Sequence, residues 1–137
     1  LALTDPAKQD EAIQKLQAAQ KAHSDHFRYY ESVALLGQLQ LAKGDFAAAR
    51  TTFDQLAKAP WNDLKLAAKI ATGRILMGEN KLDDAAKEFE AAASGAGDSA
   101  AEQARKYEAM LGQARALAMQ SKHEEALKLL EVVTDKG

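Results

Sequence analysis

One spacing recurs along this chain and limits what it can fold into. A small residue is followed four positions later by a large apolar residue at four places, whose small residues stand 37, 36 and 41 positions apart: Ala12–Leu16, Ala49–Phe53, Ala85–Phe89 and Ala126–Leu130. Twelve residues before the last three small residues stand Gly37, Gly73 and Ala114. Residues four apart share one face of a helix, and small residues allow two helices to cross closely. The spacing therefore predicts a repeated pair of helices.

The composition predicts helix almost throughout. Residues with high helix propensity, such as Ala, Leu, Gln, Lys and Glu, dominate the chain. Only two prolines and eight glycines occur in 137 residues, so few positions can interrupt a helix. Aromatic residues make up 6% of the chain, so Ala and Leu must form most of the core. We expect a single all-α domain over residues 1–137.

Charge and hydropathy exclude several classes of partner. The net charge is −2, and Lys and Arg are interspersed with acidic residues, without the basic patch typical of nucleic-acid-binding proteins. The longest uncharged stretch, residues 32–42, has 11 residues, whereas a membrane span needs about 20 apolar ones. We therefore expect no nucleic-acid partner and no membrane insertion. Without cysteine, cytoplasmic and bacterial periplasmic locations are equally compatible. Since the chain starts at Leu1, we expect it to be a piece of a longer protein.

Capping residues predict where the helices begin and end. Gly44 suits the left-handed position after one helix, and Asp45 suits the N-cap of the next. Asn62 is expected to be another N-cap, which would give Trp61 and Leu66 the two positions of a hydrophobic staple. Residues 94–98 form the longest loop-like segment. Other expected helix starts are Asp5 before Pro6, Ser24 or Asp25, and Ser99 with Glu102 as a capping box.

The repeated pattern resembles the tetratricopeptide repeat (TPR), a helix–turn–helix unit of about 34 residues. The closest match is Leu36-Gly37, Gly44-Asp45-Phe46 and Ala49-x3-Phe53, followed by Gly73 with Ala85-x3-Phe89. In the last unit Gln113-Ala114 stands where the family has Leu-Gly, since a register using Leu111-Gly112 would misalign Ala126. Val33 and Gln40 replace the Trp and Tyr of the family's first helix.

The resemblance implies a fold and a domain organisation. We expect a right-handed α-α superhelix, a TPR-like solenoid of about seven helices in antiparallel pairs. A leading half unit is expected at residues 4–23, and full units at about 26–59, 62–94 and 99–135. We also expect the apolar surface to be open at both ends.

The resemblance also implies a binding surface. In this family the first helices of successive units line a concave groove in which peptides or protein segments lie. The positions that correspond to groove-facing ones are Gln38, Leu41, Ile70, Arg74, Met77, Leu111, Arg115 and Met119, with Ala118 beside the last. Two arginines in register suit a carboxylate or phosphate. The alternatives are that each arginine pairs with an acidic residue of a neighbouring helix, and that the apolar members belong partly to the core.

Other site types find no support in the sequence. The carboxylate clamp of chaperone-binding relatives needs Lys and Asn where this chain has Ala34, Gln38, Ala71 and Arg74. His23, His26 and His123 stand near turns without metal-ligand spacing, so no metal or other cofactor is expected. No phosphate-binding loop or nucleophile motif occurs, so we expect no catalysis.

Two functions are compatible with these sequence features. The first is a non-enzymatic scaffold that holds a peptide or protein segment in the groove. The second is a structural spacer or self-association segment of a larger repeat protein, which could act in bacterial envelope assembly and form homo-oligomers through its ends.

Overall fold

The computed structural model describes residues 6–22 and 27–136, which form seven α-helices and no strand. The predicted caps Asp5, Ser24 and Asp25, together with His23 and His26, lie outside the described residues. The all-α prediction is confirmed, with helices paired by short turns. The helices are α1 (Pro6–Ala22), α2 (Phe27–Ala42), α3 (Phe46–Leu56), α4 (Asn62–Gly78), α5 (Leu82–Ser94), α6 (Ala100–Met119) and α7 (His123–Lys136).

The turns that join α2 to α3, α4 to α5 and α6 to α7 share one backbone conformation. Each has a residue with positive φ at the same point of the repeat: Gly44 at 80°, Asn80 at 62° and Ser121 at 63°. The amide after it donates to the carbonyl five residues back, at 3.0, 2.8 and 2.9 Å respectively. This is the Schellman pattern, which satisfies carbonyls at the end of a helix. The left-handed Gly44 is confirmed, and so is the Asp45 N-cap, whose side chain accepts from the Ala48 amide at 3.2 Å.

Phenylalanine rings fill the space that the glycines leave at the helix crossings. A Cβ added to Gly37 would lie 2.6 Å from Phe53, and one added to Gly73 would lie 2.7 Å from Phe89. Gly112 of α6 also approaches the ring of Phe89, at 2.5 Å for an added Cβ. Phe89 is 1% exposed, so the ring of this α5 residue is buried against both α4 and α6.

The core runs along the repeat as a series of small clusters. The first joins α2, α3 and α4 and includes Val33 and Leu56, and the second joins α4, α5 and α6 around Phe89. The third contains Ala114 and Ala126, which supports the register that pairs these two positions. On α7 the large apolar side chains are less covered: Leu127 is 58% exposed, Leu130 37% and Val132 42%.

A polar contact explains one departure from the family pattern. Gln40 stands on α2 where the family has an aromatic residue, and it is 9% exposed. Its side-chain oxygen accepts a hydrogen bond from the hydroxyl of Thr52 on α3 at 2.5 Å. A buried amide with a partner is tolerated in a core because its hydrogen-bonding groups are satisfied. The crossing of α2 and α3 thus includes a hydrogen bond in addition to apolar packing.

The predicted N-cap at Asn62 is wrong by one residue. Trp61 is the N-cap of α4 and its side chain makes no capping bond, so Asn62 is the first helical residue and the predicted staple positions are not formed. The side-chain Nδ2 of Asn62 instead donates to the Gly95 carbonyl at 3.1 Å and to the Glu102 carboxylate. Trp61 packs edge-on against Phe27, with ring centroids 4.9 Å apart. Contacts with other helices thus determine the conformation of both residues.

The connection between α5 and α6 is held by a hydrogen-bonded network around Glu102. The predicted N-cap at Ser99 is confirmed, since the Glu102 amide donates to Ser99 Oγ at 3.2 Å. The Ser99 hydroxyl in turn donates to the Glu102 carboxylate at 2.7 Å. The Gly97 amide donates to the same carboxylate at 3.3 Å. Hydrogen bonds from Asn62 and then Ser99 lower the pKa of Glu102. The loop therefore lies close to the start of α4.

An ion pair joins the first full unit to the second. Arg50 of α3 donates two parallel hydrogen bonds to Glu79 at the end of α4, at 3.1 and 2.6 Å. These bonds lower the pKa of Glu79 and raise that of Arg50. A planar guanidinium matches a carboxylate in this geometry, which adds orientation as well as energy. The pair fixes how α4 lies against α3.

Candidate ligand-binding groove

The first helices of the units form one continuous face. Helix α4 packs against both α2 and α6, whereas α3 and α5 have no comparable contact with each other in the described part of the chain. Helices that lie closer together on one side than on the other curve toward that side. The face formed by α2, α4 and α6 is therefore the inner one, and two adjoining clefts open on it.

The proximal cleft lies between α2, α4 and the first half of α6. It comprises about 390 Å³ of space, part of which is open to solvent, and is bounded on its sides by Ala34, Gln38, Leu41, Arg74, Arg105 and Glu108. Phe53 and Leu56 reach it from beneath. Of these two, Phe53 is 3% exposed and Leu56 0%, so they form a floor and offer almost no surface. The cleft thus has an apolar base and a polar rim.

The distal cleft lies further along, between α4 and α6. It comprises about 410 Å³ of space, part of which is open to solvent, and its walls are Arg74, Met77, Glu108, Leu111 and Arg115, with Gly112 and Phe89 at the base. Arg74 and Glu108 line both clefts. Because the clefts share these two side chains, they form one groove across three helices, and we refer to them together as the groove.

Six of the eight sequence-predicted positions line this groove. Gln38 and Leu41 lie in the proximal cleft, and Met77, Leu111 and Arg115 lie in the distal cleft, with Arg74 in both. The remaining two positions do not line either cleft. Ile70 is 1% exposed and packs in the core around Phe89, so its predicted place on the groove surface is wrong. Its position on α4 faces α5 and α6, which cover it.

Met119 lies outside the clefts for a different reason. Its side chain is 54% exposed, and it is the last residue of α6. The residues that line the distal cleft end at Arg115, one turn earlier. Met119 is therefore an exposed apolar side chain beyond the end of the groove, next to the turn into α7.

The two predicted arginines differ in their surroundings. Arg74 donates to Glu108 of α6 at 3.1 Å, which is the internal pairing that the sequence left open as an alternative. Arg105 donates to the other oxygen of Glu108 at 3.2 Å. Arg115 is exposed, and within residues 6–22 and 27–136 it forms no ion pair or side-chain hydrogen bond. One carboxylate thus serves two guanidinium groups, while a third is left without a partner.

Sequence reasoning missed Arg105 and Glu108. Both lie on the inner face of α6, and Glu108 follows Arg74 by 34 residues. The position on α6 that corresponds to Arg74 in the repeat is Arg115, 41 residues later, so Glu108 lies two helical turns before it. The pair therefore depends on how α4 and α6 pack together, which the register of the repeat does not indicate.

Other kinds of site are not evident in the described part of the chain. No three His, Asp or Glu side chains among residues 6–22 and 27–136 lie close enough together to hold a metal ion. None of the described helices combines the length and the apolar character needed to cross a bilayer.

The sequence matches a known protein family. A family model described as tetratricopeptide repeat matches at three overlapping places, residues 8–63, 34–101 and 70–137. These matches together extend over nearly the whole chain. Searches of curated proteins and of solved structures found no match.

Proposed function

Because this chain belongs to the tetratricopeptide repeat family, whose repeats generally mediate protein–protein interactions, we propose that its groove holds a segment of a partner protein. Domains of this family are typically non-catalytic scaffolds. We propose that the partner binds on the face formed by α2, α4 and α6. The observation that supports it is the pair of adjoining clefts on that face.

The lining of the groove suits a peptide. Apolar side chains of Leu41, Met77 and Leu111 offer contact area, and Leu111 is 43% exposed. Gln38 and Arg115 offer hydrogen-bonding groups for a backbone or for polar side chains. Binding sites commonly combine apolar walls with a few polar groups that determine orientation. The glycine at the base of the distal cleft, Gly112, has no side chain to fill it.

The experiment uses peptides selected for binding to the protein from a random 12-residue library. The selected peptides are titrated against wild type and two groove variants, Gln38→Trp, which fills the proximal cleft, and Leu111→Ala, which removes an exposed wall of the distal cleft. Matched controls carry the same changes outside the groove, as Gln55→Trp on α3 and Leu127→Ala on α7. All four replaced side chains are exposed, so the fold should persist, as circular dichroism can verify.

The expected result is a loss of affinity for the two groove variants and none for the controls. An indole in the proximal cleft competes sterically with the ligand, and removal of Leu111 takes away apolar contact area. If the control variants lost as much affinity as the groove variants, or if neither groove variant lost any, the groove would not be the binding face.

A second function, self-association, is favoured by one observation, the exposed apolar side chains of α7. Leu127, Leu130 and Val132 are 58%, 37% and 42% exposed. Apolar patches on a surface often mark contacts with other proteins. Light scattering across a range of concentrations tests this function, since a dimer that dissociates in the variant Leu130→Lys would support it. A monomer at every concentration would exclude it.

A further inference from the structure

We propose that the segment held in the groove is acidic, with two carboxylate side chains two to four residues apart in an extended chain. This inference rests on the function proposed above and adds the chemistry of the partner.

The charges that line the groove are predominantly positive. The charged residues of its lining are three arginines, Arg74, Arg105 and Arg115, and one carboxylate, Glu108, so together they carry a net charge of +2. The whole chain has a net charge of −2. The positive character is therefore local to the groove and opposite in sign to the rest of the molecule. Complementary charge steers a partner to a surface and selects against partners of the wrong sign.

Glu108 marks the place that a ligand carboxylate would take. It accepts from Arg74 with one oxygen and from Arg105 with the other, at 3.1 and 3.2 Å. Each guanidinium has five N–H groups, and the structure shows one from each directed at Glu108. Arg74 lines both clefts, and its remaining N–H groups form no hydrogen bond with another described residue. Glu108 thus stabilises the arginines when the groove is empty and competes with an acidic ligand for them.

Arg115 provides the second anchoring point. It lies seven residues after Glu108 on α6, about 10 Å further along the helix axis at 1.5 Å per residue. An extended peptide rises about 3.3 Å per residue, so residues about three positions apart span that distance. Arginine side chains are long and flexible, which extends the range from two to four positions. One carboxylate would meet the cluster at Arg74, and the other would meet Arg115.

The test begins with the library-selected peptides, sequenced and compared with the unselected library. Acidic pairs spaced by two to four residues should be enriched in the pool selected on wild type. The strongest acidic binder, labelled with a fluorophore, is then titrated against three variants. These are Arg115→Glu, which reverses the unpartnered charge, Glu108→Gln, which removes the competing carboxylate, and Lys128→Glu, a matched reversal on the exposed surface of α7.

The expected results differ in direction among the variants. Arg115→Glu should weaken binding about tenfold or more, since it places like charges together. Glu108→Gln should strengthen it about two- to fivefold, the range that exposed ion pairs contribute. Lys128→Glu should leave the dissociation constant unchanged. Raising the salt concentration should weaken the binding of the acidic peptide to wild type.

The outcomes separate this inference from the function on which it rests. Peptides that lose affinity for Gln38→Trp but are not enriched in acidic residues would overturn the acidic ligand and keep the groove. Acidic peptides that bind Arg115→Glu as tightly as wild type, or bind Glu108→Gln more weakly, would also overturn it. Peptides that are insensitive to Gln38→Trp and to Leu111→Ala would overturn both proposals.

Discussion

Replacing Gly73 by alanine should destabilise the protein, although the same change in most helices is stabilising. In the interior of a helix, alanine is favoured over glycine by about 1 kcal/mol. Gly73 is buried in the middle of α4, and its added Cβ would lie 2.7 Å from the ring of Phe89. No real Cβ makes so close a contact, so the ring or the helix must move.

The ring cannot move away freely, because it also packs closely against Gly112 of α6, where an added Cβ would lie 2.5 Å from it. Overpacking of this kind costs about 1–3 kcal/mol. After subtraction of the gain in helix propensity, Gly73→Ala should lower the free energy of unfolding by up to about 2 kcal/mol. Replacing Phe89 by leucine removes the ring, and in that background Gly73→Ala should become neutral or stabilising.

Urea denaturation followed by circular dichroism measures all four corners of this double-mutant cycle. The coupling between positions 73 and 89 should be about 1–3 kcal/mol, as expected for residues in direct contact. Ala91→Gly, at an exposed position of α5, is the control that measures the propensity difference in this protein. A Gly73→Ala variant more stable than wild type, with no coupling to position 89, would refute the reasoning about the crossing.

Three further predictions concern the core, a turn and the pH dependence of stability. Phe53→Ala should cost about 3–5 kcal/mol in urea denaturation because it leaves a cavity beside Gly37, and a loss below about 1 kcal/mol would contradict the packing described. Ser121→Gly should stabilise by about 0.5–1 kcal/mol, since serine at φ 63° is strained and glycine at that φ is not; an unchanged melting temperature would contradict this. The pKa values of Glu79 and Glu102 are lowered from 4.5, so their contribution to stability is present above that pH and is lost as the pH falls through the lowered values. The double variant Glu79→Gln, Glu102→Gln should therefore show a smaller fall in melting temperature than wild type between about pH 5 and pH 3, and equal slopes would refute it.

Features determined by neighbouring residues were predictable from the sequence. The spacing of Ala49 and Phe53 gave the helix face, and Gly44 with Asp45 gave the turn, because caps and helix periodicity depend on residues a few positions apart. Asn80 and Ser121 adopt the same left-handed conformation as Gly44. Neither is glycine, yet both stand at the position of the repeat that Gly44 occupies, 36 and 77 residues after it.

Features determined by contacts between units were less predictable. Asn62 suits an N-cap by its local sequence. Its side-chain Nδ2, however, donates to the Gly95 carbonyl and the Glu102 carboxylate, 33 and 40 residues away. The sequence allowed Arg74 either a ligand or an internal partner, and only the position of α6 shows that Glu108 is within reach. Ile70 shares the helical stripe of Arg74 and is buried, because α5 and α6 cover the first half of that stripe.

The ring of Phe89 has a mechanical consequence. It lies at the base of the distal cleft and also packs against both Gly73 of α4 and Gly112 of α6. Its size therefore limits how closely these two successive inner helices can approach each other, and with it the local curvature of the chain. Moving α4 and α6 apart would then widen the distal cleft and straighten the solenoid at the same time. A segment bound in the cleft that resisted the widening would therefore also make the solenoid harder to straighten.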